Sequence, residues 1–194
     1  MKSFATVSLA LLLVASLFVP QAFAYSLSGY KLINGVKNQT YYVDSNNPLY
    51  SNITAAMSNW NTIDPTYITP TQFSSTDVSF TRSSSTTGTS IDFYTADLGN
   101  TGWFGFTYYF NSSGADNPGG YPTNNYTYCQ VKLNTWSGYS MNNTWTGIAA
   151  HETGHAFGLK HYDGNGSLMD SNIAYMTSPT TITNDDISGV RSTY

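Results

Sequence analysis

The sequence has one cysteine, one glutamate and three histidines in 194 residues, and only 9% of its residues are charged. A single cysteine, Cys129, excludes an intrachain disulfide. It lies among β-formers and reads as a buried small hydrophobe. Lys and Arg number 7 against 11 Asp and Glu, for a net charge of −4. That excludes the basic footprint of a nucleic-acid binder and the polybasic patch of a membrane-surface binder. Long apolar runs are missing after the first residues. The only such run, Val7 to Val19, follows Lys2 and precedes Ala22-Phe23-Ala24. A positive start, a short apolar core and a small-x-small site describe a secretory signal peptide. The run is too short for a spanning helix, which needs about 20 apolar residues. Residues 1–24 are therefore read as a removed leader and 25–194 as one secreted, extracellular domain without membrane attachment, expected to be a monomer. Solubility has to come from Ser, Thr, Asn and the 16 tyrosines.

What is present is concentrated. All three histidines fall between positions 151 and 161, in His-Glu-Thr-Gly-His-Ala-Phe-Gly-Leu-Lys-His, around the sole glutamate. His151 and His155, four apart, share one face of a helix. Gly158 can take positive φ, end the helix and turn the chain. His161 can then swing back as a third ligand. Zinc accepts neutral imidazoles in tetrahedral geometry, and three protein ligands leave one position for water, as in catalytic sites. Glu152 stands about 100° around the helix from His151. It is placed to take a proton from the zinc-activated water as general base and to return it to the leaving amine. A surface helix with two chance histidines is the competing reading of the shorter HExxH, and the extended spacing is far more specific.

On these residues the sequence resembles the metzincin metallopeptidases. Ser167-Leu168-Met169-Asp170 supplies the methionine turn that the family carries beneath its zinc, with Met169 eight residues after His161. That spacing and the Leu-Met pair are similar to the matrixin branch. Ser171 stands where astacins and serralysins have tyrosine. The ending Asp185-Asp186-Ile187-Ser188-Gly189-Val190-Arg191-Ser192-Thr193-Tyr194 is similar to the matrixin terminal helix. The resemblance implies an α+β zincin fold: a twisted, mixed, mostly parallel five-stranded sheet, three helices and a Met-turn. It also implies one catalytic Zn2+, metal ligands His151, His155 and His161, and Glu152 as catalytic residue. Protein or peptide substrates are implied as partners. In the family one aspartate of the terminal pair can hold the mature N-terminus, which here would be Tyr25. No histidine remains for the second, structural zinc of many relatives.

Along the chain, Thr40 to Val43 reads as a strand. Asn47 and Pro48 then open a helix in which Leu49, Ile53, Met57 and Trp60 recur at helical spacing. Strands are expected at Asp77 to Arg82, Ser90 to Tyr94, Trp103 to Phe110 and Tyr128 to Asn134. In metzincins the strand beside the zinc pairs with substrate. Trp103 to Phe110 or Tyr128 to Asn134 could be that edge, and family order favours the first. Asp116 and Asn117 offer oxygens that could bind Ca2+, although a solvated turn is the reading that accounts for them better. Thr144 is read as a cap for the motif helix. Ile173 to Ser178, with Tyr175, is read as the wall of the specificity pocket. Thr183 or Asn184 should cap the last helix. The sequence thus points to a secreted zinc endopeptidase. A zincin-fold metal- or peptide-binding protein without turnover, and a zinc amidase on non-peptide substrates, remain as alternatives.

Overall fold

The computed structural model describes residues 25–61, 78–117, 120–137, 145–163, 167–171 and 182–194. The expected leader, Thr144 and the stretch from Ile173 to Ser178 lie outside them.

The chain enters through the short strand β1 (Ser26–Leu27) and forms β2 (Gln39–Val43) and helix α1 (Tyr50–Asn61). Asn47 works as the sequence suggests: its side-chain oxygen accepts from Leu49 N at 2.8 Å, ahead of the first helical turn. Strands β3 (Phe80–Ser83), β4 (Ile91–Ala96), β5 (Gly105–Asn111), β6 (Gly114–Ala115) and β7 (Tyr128–Asn134) follow. The motif helix α2 (Trp145–Ala156), β8 (Leu159–Lys160) and helix α3 (Asn184–Thr193) close the fold.

The sheet order is β3-β2-β4-β7-β5-β6, with β3, β2, β4 and β7 parallel and β5 antiparallel to β7. The architecture is the α+β arrangement expected. The main sheet has six strands where the sequence suggested five. The sixth is the two-residue β6, which folds back on Phe110 and Asn111 through a tight turn. A glycine-alanine pair carries no β-former pattern, so nothing in the sequence announced it. β1 and β8 make a separate antiparallel pair.

Two helices cover one face of the sheet. Along β5, Thr107 and Tyr109 point inward and are buried, while Phe106, Tyr108 and Phe110 on the other face are half-buried. Trp60, fully buried, packs edge-on against Phe157 with ring centroids 5.1 Å apart, and Phe80 lies 5.4 Å beyond. Each such side chain contributes roughly 1.5–3 kcal/mol by leaving water. The Trp60 indole N–H donates to Ala150 O at 3.0 Å, tying α1 to the motif helix. Helix α2 is buried on all sides from Gly147 to Ala156, so it shows no polar stripe.

Candidate active site

The motif helix ends where its last carbonyls need partners. Main-chain N–H groups just past its end and two tyrosine hydroxyls supply them. Phe157 N donates to Thr153 O and Gly154 O, Gly158 N donates to His155 O, Tyr109 O–H also donates to His155 O at 3.2 Å, and Tyr126 O–H donates to Ala156 O at 3.0 Å. Gly158 then takes φ +94°, and a Cβ there would lie 2.8 Å from Tyr30 O. The turn therefore demands glycine. It sends the chain into β8, which pairs with β1, and delivers His161 back towards the helix.

The three imidazoles converge. His161 Nε2 lies 3.1 Å from both His151 Nε2 and His155 Nε2, and one nitrogen from each ring falls within 4.8 Å of the others. Two nitrogens bound tetrahedrally to one zinc at 2.0–2.1 Å are about 3.3 Å apart. The outward nitrogens are also fixed. His151 Nδ1 is 2.7 Å from Leu168 O and His155 Nδ1 is 2.8 Å from Leu159 O. A carbonyl only accepts, so each Nδ1 carries the proton and each Nε2 turns its lone pair to the common centre. Burial lowers His151 to about 4 and His155 well below its ordinary value, and it lowers His161 as well. Three neutral nitrogens facing one point form a donor set that fits a divalent metal ion.

Met169 is buried against the motif helix. A Cβ on Gly154 would lie 2.5 Å from its sulfur, so the glycine inside the motif makes room for the methionine. The turn is held by Asp186 at the start of α3. Its carboxylate accepts from Leu168 N at 3.3 Å, Ser167 Oγ at 3.0 Å and Thr183 N at 2.8 Å. Thr183 is the N-cap, in a reciprocal capping box with Asp186. Because Leu168 O in turn holds His151, α3 supports that imidazole through the turn.

Glu152 is buried, and its Oε2 accepts from Thr107 Oγ1 at 2.7 Å. Burial pushes its pKa up to about 7, against the lowering effect of that bond. The carboxylate borders a cleft of about 330 Å³ whose walls include Trp103, Gly105, Ile148, His161 and Ser171. Strand β7 lies inside the sheet between β4 and β5. That leaves β5, the first of the two segments considered, as the long strand beside the cleft.

Family models bear on this geometry. The Matrixin peptidase family matches residues 33–194. The chain belongs to the matrixin family. Neutrophil collagenase of Homo sapiens is 41% identical over 61 residues, which are 31% of this chain and 13% of the collagenase. As a matrixin the chain is of a zinc metallopeptidase family, and its three-histidine group is the feature that could hold the metal.

Other residues take different places. Asp116 accepts from Thr123 N, Thr123 Oγ1 and Asn124 N at 3.0, 2.6 and 2.9 Å. Asn117 bonds the backbone of Thr107 and Tyr109 at 3.0 and 2.8 Å. Both hold a loop against β5 in this matrixin. Tyr121 was not singled out by sequence; its hydroxyl accepts from His161 N at 3.2 Å and its ring stands edge-on to His155. Thr107 and Gly105 were missed too. Their contacts with Glu152 span 45 and 47 positions, and no local pattern encodes them.

Proposed function

We propose that this matrixin is a secreted zinc endopeptidase, with residues 1–24 as leader and 25–194 as the catalytic domain. His151, His155 and His161 hold the zinc, Met169 underlies it, and Glu152 is the general base. The observation that carries the reading is the convergence of three imidazoles, two of them anchored by carbonyls, beside one buried carboxylate at an open cleft. Zinc held there would supply Lewis acidity towards a peptide carbonyl and towards water.

The protein's own groups do the rest. Glu152 takes a proton from the attacking water and hands it to the departing amine. A buried carboxylate raised to about 7 suits both transfers near neutral pH. Substrate is oriented by β5. Phe104 O and Phe110 O accept from β7 and the loop before it, so even-numbered residues of β5 face β7 and odd-numbered ones face away. Asn117 and Asp116 engage the outward groups of Thr107 O and Tyr109. Gly105 and Thr107 N turn the same way at the cleft, where an extended peptide would add as a strand.

Incubation with an unfolded protein such as casein, followed by mass spectrometry of the products, tests the reading. Internal peptide cleavage that stops with a chelator and resumes with zinc is expected. Zinc binding without cleavage of any peptide in a broad library would favour a binding protein or an amidase.

A further inference from the structure

We propose that Thr107 is a positioning residue for Glu152. Its hydroxyl fixes one carboxylate oxygen so that the other is presented to the cleft. The proposal rests on the reading of Glu152 as the general base and deepens it.

The inward face of β5 reads Gly105, Thr107, Tyr109, and these residues meet the motif helix in turn. Thr107 Oγ1 touches Glu152 twice, at Oε2 (2.7 Å) and at the main-chain oxygen (2.9 Å). Both residues are buried. The hydroxyl has one proton to give, and the shorter contact to a charged acceptor takes it when Glu152 is ionised. Two residues earlier Gly105 has no side chain. A Cβ there would lie 2.7 Å from both Glu152 Cγ and Oε1. The carboxylate therefore lies across the glycine, with Oε2 held by Thr107 and Oε1 beside the strand edge that lines the cleft.

A glutamate on a helix otherwise samples several staggered rotamers. A base works only within hydrogen-bond reach of its proton, and a misplacement of about 1 Å can cost roughly 100-fold. Threonine is suited to the task. It is β-branched and stiff at χ1, so the strand backbone sets the direction of its hydroxyl.

Glu152 is the only glutamate, so cell-free synthesis of the full chain with [5-13C]glutamate gives a single side-chain carboxyl resonance. The parent, Thr107→Val and Thr107→Ser are compared. Valine keeps the shape and removes the donor; serine keeps the donor. The resonance is expected to move in Thr107→Val and to stay near the parental value in Thr107→Ser, with and without zinc. On a casein-derived peptide, kcat is expected to fall about 10- to 100-fold in Thr107→Val with KM within about threefold. Thr107→Ser should recover kcat to within about threefold. Bound zinc should match the parent in all forms.

An unmoved resonance with parental kcat in Thr107→Val overturns the proposal, and so do equal losses in the two variants. Loss of zinc from Thr107→Val also overturns it, by making Thr107 a support of the ligand helix. If the parent cleaves nothing, the proposed function fails. The resonance then decides the contact alone: movement in Thr107→Val but not Thr107→Ser upholds it, and no movement overturns it.

Discussion

At the residue scale, the chemistry depends on what small side chains leave open. Gly154 stands inside the motif where a Cβ would meet the Met169 sulfur at 2.5 Å. Gly154→Ala should push the Met-turn off the helix and cost about 2–3 kcal/mol. A urea titration of the two forms checks this, and an unchanged midpoint contradicts it. The histidines give a pH dependence. Their pKa values are lowered, chiefly by burial, from an ordinary 6.5 to about 4 for His151. Lowered folded values mean that the unfolded chain binds protons first, so this stability is present above about pH 6.5 and is lost as pH falls towards 4. His151 alone accounts for about 3 kcal/mol of it. Zinc release runs in the same direction, since protonated imidazole cannot bind metal. Glu152, raised to about 7, opposes this over the same range, because the folded chain binds its proton first. The metal-free Glu152→Gln chain, which lacks that offset, is predicted to lose urea resistance between pH 7 and 4.5; a flat midpoint in it would count against neutral buried histidines. The grouping of His151, His155 and His161 beside Glu152 was legible in the sequence because the chain holds no other histidine or glutamate to dilute the pattern. Thr107 and Tyr121 were not, because a threonine or tyrosine among so many acquires meaning only from what the fold sets beside it.

At the element scale, the helix that completes the site is the last one. Asp186 caps α3 and accepts from the Met-turn with the same carboxylate. Asp186→Ala leaves buried donors at Thr183, Ser167 and Leu168 without an acceptor. It should cost about 2–4 kcal/mol and weaken zinc binding about 10-fold through Leu168 and His151. Asp185→Ala, which removes only a charge near the helix N-terminus, should stay within about 1 kcal/mol. Chemical denaturation with a zinc-competition assay separates the two; equal effects would deny the special place of Asp186. The sequence suggested a cap at Thr183 or Asn184 and a capping pair of aspartates. It did not reveal that one aspartate reaches the turn that holds His151, since that bond crosses 18 positions. Strand existence was legible from clustered β-formers, and strand ends were less so. The segment expected from Trp103 to Phe110 forms β5 over Gly105–Asn111, because Trp103 and Phe104 turn instead towards the cleft.

At the scale of the whole molecule, a chain with 9% charged residues organises itself with neutral amides. The Asn61 amide pairs with Phe80 N and O, both at 2.8 Å, as a strand would. Asn134 accepts from Leu98 N at 2.9 Å and donates to Gly99 O at 2.9 Å, closing the loop that leads into the cleft. Such bonds satisfy backbone groups without ion pairs. They left no trace in a sequence rich in asparagine throughout. Cys129 was legible as a buried hydrophobe, and it sits fully buried in the interior strand β7. Burial holds its thiol well above the ordinary value. It is predicted to resist thiol reagents until the sheet opens, with a reaction rate that tracks global unfolding in urea. Fast labelling of the native chain would contradict the core described here. The proposed peptidase rests on a three-histidine metal site and one carboxylate acting together. The most direct measurement compares the chain with Glu152→Ala, reading bound zinc by metal analysis and casein cleavage on the same samples. About one zinc per chain is expected in both, with cleavage reduced at least about 100-fold in Glu152→Ala. Equal cleavage by the two forms, or no zinc in either, would contradict it.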